Sequence, residues 1–319
     1  MENSGIDFGY GFLSQESSFD VQFSLIEYDG SHSYFRAYLV GLLNTILVSV
    51  IGIIIATILG VIVGVARLSP NYLINQFAAF YVEFFRNIPL LLQIFFWYFA
   101  ALRALPLPQD ADAMLGVFFL TIKGLYVPAF IWENLNVFLY SIIAAIIAIV
   151  VIRIHARKVQ ETQGKQLPVF WISVGLIFIL PLLSFLIGGV SLSFEIPKLK
   201  QLATTSFKYE GGLSLPPELI ALTLSLALYT ATFIAECVRA GIQGVGKGQK
   251  EAAASIGLNP NQVLKLVVMP QALRIIIPPT TNQYLNLTKN SSLAAAIAYP
   301  DLVLVFAGTA LMQTGKAIE

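Results

Sequence analysis

What most constrains this chain is a series of apolar runs near twenty residues long, the length a helix needs to cross a hydrocarbon layer about 30 Å thick. They lie at about 38–66, 77–102, 135–152, 167–189, 217–239 and 275–300. Composition agrees with that reading. The chain is 57% hydrophobic and 12% charged, with a mean hydropathy of +0.76, where soluble domains carry about 25% charged residues. A membrane β-barrel would show ten-residue segments of alternating polarity, and none is visible. The expected fold is an all-α polytopic membrane protein, a bundle of about six transmembrane helices.

The order of polar segments sets the expected topology. Residues 1–37 hold six acidic side chains and one arginine, which suits an external N-terminal segment. The run 38–102 supplies two core spans, the second interrupted by Pro89. Residues 103–215 read as an insert with two additional spans. Within it, 114–132 is apolar but broken by Lys123, Gly124 and Pro128, so it reads as interfacial or re-entrant. The short loop after 152 carries Arg153, Arg157, Lys158 and Lys165, which marks it cytoplasmic. Residues 216–319 form the remaining core region, and Lys247, Lys250, Lys265 and Arg274 place the loop 247–270 on the same inner face.

That loop is the most structured polar stretch. Glu251, Ala252, Ala253 and Ala254 are strong helix formers. Gly257 suits the left-handed residue that closes a helix. Asn259 is an N-cap, and Pro260 fits the first position of a second short helix. Pro270 is expected to end that helix or redirect the chain into the next span.

Little else suggests chemistry. Gly241-x-x-x-x-Gly246-Lys247 begins like a phosphate-binding loop, but Gly248 stands where a serine or threonine would hold magnesium. His32 and His155 are too few for a metal site, and Cys237 is the lone cysteine. A net charge of +1 gives no case for a nucleic-acid partner. Glu83 and Arg86 sit three residues apart, so on a helix they share a face and can pair. Polar and ionisable groups within spans tend to face the bundle interior. On that ground Asn44, Arg86, Gln93, Glu236, Asn282 and Lys289 are candidates for a substrate path. Arg86 and Glu236 also have a plainer reading as structural ion partners.

The spacing Glu251-Ala252-Ala253, Gly257, then Val267-Val268-Met269-Pro270 resembles the EAA loop of ABC-importer permeases. Five further stretches are similar to permeases for polar amino acids: Gly41 to Thr45, Glu83 to Leu91, Ser225 to Thr230, Ala235 to Ile242, and Asn282 to Leu293. The long insert resembles the branch for general L-amino-acid uptake. The resemblance implies one more span before this region and one more after it, so the chain is expected to be truncated at both ends or to lack both end helices. It implies that Glu251, Ala252, Ala253, Gly257 and Pro270 couple the chain to a separate ATPase. It implies no cofactor in this chain, ATP and magnesium being used by that subunit. The implied partners are ATP-binding subunits, a second homologous permease, an external solute-binding protein and the lipid bilayer of a bacterial inner membrane. An ion-gradient-driven secondary transporter is the rival reading. It would need no cytoplasmic lever and more buried carboxylates than Glu236.

Overall fold

The computed structural model describes residues 9–165, 167–186, 189–203 and 206–315. The start of the external N-terminal segment and the last four residues lie outside that set. The chain divides into two units. One holds the residues up to Leu107, Thr121–Leu125 and those from Leu215 on; the other holds Pro108–Leu120 and Tyr126–Ser214.

In the first unit the long helices are α1 (Tyr34–Ala66), the bent pair α2 (Tyr72–Asn87) and α3 (Leu90–Ala104), then α6 (Pro217–Gln243) and α8 (Pro260–Ile297). Helix α7 (Lys247–Ser255) lies between the last two, and α9 (Val303–Gln313) follows them. Helix α1 starts at Tyr34, earlier than its apolar run, because the Ser33 side chain caps it by accepting from the Arg36 N–H at 3.3 Å. Helix α6 is the centre of this unit. Two thirds of its apolar window (67%) is buried, and α1, α2, α3 and α8 all pack against it.

Small residues allow that packing. Within lipid no hydrophobic force drives helices together, so close van der Waals approach must hold them. A Cβ on Gly60 would stand 2.6 Å from Ile234 Cβ, and one on Gly64 would stand 2.7 Å from the Ala235 carbonyl oxygen. The backbone of α1 therefore touches α6 along these two glycines.

The second unit carries α4 (Leu135–Gln163) and α5 (Val169–Leu186), which pack on each other. Only 6% and 11% of their apolar windows are buried, so these two helices present their apolar sides outward. Helix α4 runs through the basic stretch expected to be a loop. Residues 153–163 are helical, and the turn comes at Gly164, whose φ is +68°. Arginine, lysine and glutamine are good helix formers, and no glycine or proline stops them earlier.

The insert also holds strands that hydropathy alone does not reveal: β1 (Phe119–Thr121), β2 (Gly124–Val127), β3 (Ala129–Glu133), β4 (Ser191–Glu195), β5 (Lys198–Ala203), β6 (Ser206–Glu210) and β7 (Leu213–Leu215). The apolar stretch 114–132 is thus extended, with short strands replacing any helix. Strands β3 and β4 form one antiparallel ribbon, and β5 and β6 form another.

Candidate functional site

The hairpin 247–270 builds from local capping. Helix α7 ends in a paired turn in which the Leu258 N–H donates to the Ala253 carbonyl at 3.3 Å and the Gly257 N–H donates to the Ala254 carbonyl at 3.0 Å. This six-to-one and five-to-two pattern needs a left-handed residue at its apex. Gly257 supplies it with φ +89°. The next helix opens on a capping box: Asn259 Oδ1 accepts from the Gln262 N–H and Gln262 Oε1 accepts from the Asn259 N–H, both at 3.0 Å. Both arms of the elbow are therefore closed by their own hydrogen bonds.

The second arm departs from expectation. Pro270 neither ends the helix nor starts a new one. The chain stays helical from Pro260 to Ile297, 38 residues, through a π-helical stretch at Val263–Val268 directly before Met269 and Pro270. A π-turn is one of the ways a helix absorbs the missing N–H and the ring of proline. The last long helix therefore begins at Pro260 rather than near 275, and the elbow's second arm is its first part. Ala253 faces inward at 5% exposure, whereas Glu251, Ala252 and Ile256 are exposed. Lys250, Ala254, Leu258, Pro260 and Leu264 line an open hollow of about 490 Å³ beside the elbow.

The six substrate-path candidates fall into two groups. Three are engaged in internal contacts. Asn44 is fully buried, and its Nδ2 donates to the Phe23 carbonyl at 2.9 Å and the Pro300 carbonyl at 2.8 Å. Beside it, Thr45 Oγ1 accepts from the Leu302 N–H and Tyr299 Oη donates to the Asn44 carbonyl. This is a clamp that ties the turn after α8 to α1. Gln93, 4% exposed, bridges the 100° bend between α2 and α3: its Nε2 donates to the Phe85 carbonyl at 2.8 Å and the Ile88 carbonyl at 2.9 Å. Glu236 lies between two arginines. It meets Arg67 at the end of α1 and Arg239 one turn along α6, the latter at 2.8 Å.

The other three are exposed. Arg86 lies over the Phe233 ring, 4.9 Å from its centroid, and forms no ion pair with Glu83. Its reach across to α6 is what separates two side chains that share a helical face. Asn282 and Lys289 are exposed along α8, as is Asn286. Arg67, just after the C-terminal end of α1, is the neighbour of Glu236 that sequence reading missed. Only the fold brings it to Glu236.

Gln93 yields a direct prediction. Gln93→Leu keeps the volume but removes both donors at the bend. The carbonyls of Phe85 and Ile88 then lose their partner, at about 1–3 kcal/mol for each that stays dry. The variant is expected to unfold several degrees below the parent in detergent. An unchanged melting temperature would mean that the amide does not hold the bend.

A helical bundle with a rigid elbow between its last two long helices limits what the chain can be, and sequence relatives decide it. Residues 164–316 match the family described as binding-protein-dependent transport system inner membrane component. The putative amino-acid ABC transporter permease YhdX of Escherichia coli (strain K12) is 48% identical over 322 residues, covering all of this chain and 80% of the relative. The chain belongs to the amino-acid ABC transporter permeases. The permease AapQ of a general L-amino acid transport system in Rhizobium johnstonii is 47% identical, over 98% of this chain and 76% of its own length. BztB of Rhodobacter capsulatus, a glutamate/glutamine/aspartate/asparagine transport system permease protein, is 40% identical over all of this chain and 81% of its own. This permease is accordingly a membrane-embedded transport subunit of an ABC importer, which in general works with ATPase and solute-binding partners.

Proposed function

We propose that this permease carries polar L-amino acids inward across a bacterial inner membrane, with the 247–270 elbow on the cytoplasmic side and seated in a groove of an ATP-binding subunit. It takes its energy from ATP and magnesium bound by that partner and has no ATPase site of its own. Two relatives are named for general L-amino acids and for glutamate, glutamine, aspartate and asparagine, which supports the substrate class. The basic residues Lys247, Lys250, Lys265 and Arg274 support the orientation.

One observation carries the coupling reading. The elbow's second arm is continuous with α8, and the hydrogen-bonded turn at Gly257 joins α7 to it, so a displacement of Glu251, Ala252 and Gly257 passes through one closed turn into a membrane helix. Pro270 lies in that connection.

Exposed Asn282, Asn286 and Lys289 support a second permease subunit and a solute path along α8. A lysine facing lipid at mid-membrane costs about 2.5–3.5 kcal/mol on insertion scales. That face is therefore covered by a partner subunit or by water. Arg86 opens onto the same kind of surface, whereas Asn44, Gln93 and Glu236 hold the bundle in shape.

The test is uptake into vesicles. Permease reconstituted with its ATP-binding subunits and solute-binding protein is expected to accumulate labelled amino acid only with ATP on the elbow's side, and to continue when ionophores collapse ion gradients. Accumulation by the lone chain under an ion gradient would overturn the proposal in favour of a secondary transporter.

A further inference from the structure

The β3–β4 ribbon has two unlike faces. Its register sets Phe130 opposite Phe194 and Trp132 opposite Leu192. Side chains alternate along a strand, so Phe130, Phe194 and Leu192 share one face. The other face takes Ala129, Ile131 and Glu133 with Ser191, Ser193 and Glu195. There Ser191 Oγ donates to Glu133 Oε2 at 2.6 Å. Phe130 and Phe194 contact each other with ring centroids 5.4 Å apart, yet they are 62% and 55% exposed, and Leu192 is 46% exposed. A lone two-stranded ribbon is marginal in water, and one with an uncovered aromatic face requires a partner.

The place of the ribbon in the chain says which partner. Strand β3 ends one residue before α4 begins, and Asn134 Nδ2 donates to the Gly189 carbonyl at 2.9 Å, holding the roots of both strands together. From Leu135 to Ile152, before the basic run at Arg153, α4 rises about 26 Å. Helix α5 rises about the same over its 18 residues. A hydrocarbon layer of about 30 Å leaves no slack. The strands therefore start at the outer edge of that layer. The outward apolar sides of α4 and α5 lead directly to them, with Leu135, Tyr140, Leu182 and Leu186 all exposed.

We infer that the β3–β4 ribbon lies flat in the outer lipid–water interface, with the Phe130/Phe194/Leu192 face in the acyl boundary and the Glu133/Ser193/Glu195 face in water. An element with one apolar and one polar face favours this depth, because its apolar side can enter the headgroup–acyl boundary while its polar side stays hydrated. The ribbon thereby anchors the two-helix insert at a fixed height.

Spin labels test this in the assembled importer, in vesicles of phosphatidylethanolamine and phosphatidylglycerol. In a Cys237→Ser background that retains uptake, Leu192→Cys and Ser193→Cys each receive a nitroxide. The Leu192 label is expected to collide severalfold more with lipid-soluble oxygen than with a water-soluble nickel chelate, and the Ser193 label to show the reverse. Phe130→Cys repeats the measurement on the other strand. Equal nickel access at both positions would place the ribbon in water and overturn the inference. Immobilised labels shielded from both reagents would mean a protein partner covers the face, and would overturn it as well.

Discussion

Gly64→Leu is expected to abolish folded permease in the membrane. A Cβ at this position meets the Ala235 carbonyl oxygen at 2.7 Å and Val238 Cβ at 2.8 Å. Neither is the free end of a flexible side chain, so α1 and α6 must separate along their length. Overpacking a close-packed core typically costs about 1–3 kcal/mol and sometimes more. Here the added leucine also removes the helix approach that stands in for a hydrophobic force in lipid. Gly60→Leu should behave the same way, because its Cβ would meet Ile234 Cβ at 2.6 Å and the Ala231 carbonyl oxygen at 3.0 Å. Gly52→Ala is the control. Its nearest neighbours are Leu287 methyl carbons from 3.3 Å, which a small side-chain rotation can move. Detergent-extracted protein run on size exclusion after a temperature ramp reads the outcome. Wild-type stability in Gly64→Leu would show that α1 and α6 do not meet as described.

Gly257→Val should leave the protein folded and stop transport. Nothing lies within 4 Å of a Cβ built at Gly257, so the cost comes from the backbone alone. An L-residue in the left-handed region costs about 1–2 kcal/mol, and a β-branched one is worse placed still. The bonds to the Ala253 and Ala254 carbonyls open, and the elbow loses its fixed angle. Uptake is expected to fall about tenfold or more, in line with about 1.4 kcal/mol for each factor of ten. Membrane levels and melting temperature should stay near the parent's, because the turn is exposed and local. ATP hydrolysis by the complex would then no longer track uptake. Gly257→Asn should recover most transport, since asparagine tolerates this conformation. If valine and asparagine behave alike, the left-handed turn is not what couples the subunits.

Much of the elbow was legible in the sequence because capping is a local matter. Gly257, Asn259 and Pro260 act on backbone groups within five residues, and a reader of the chain can see both partners. The spans were legible for the same reason, since length and hydropathy are properties of contiguous residues. Pro270 was misread. A proline's rule predicts a break, but a π-turn over Val263–Val268 absorbs it, and α7 packs against that stretch from far enough away in sequence that the outcome is not read off Pro270 alone. The ribbon was hidden because a run such as Ala129–Glu133 has no partner in view until Ser191–Glu195 is set beside it.

By itself, then, the sequence determined that this is a multi-span helical membrane protein with a capped elbow, since each of those features depends on neighbours along the chain. Only the tertiary structure decided what the intramembrane polar residues do. Asn44 meets Pro300, Glu236 meets Arg67, and Arg86 meets Phe233. A polar group in lipid must find a partner, and which one it finds depends on how helices far apart in sequence lie side by side.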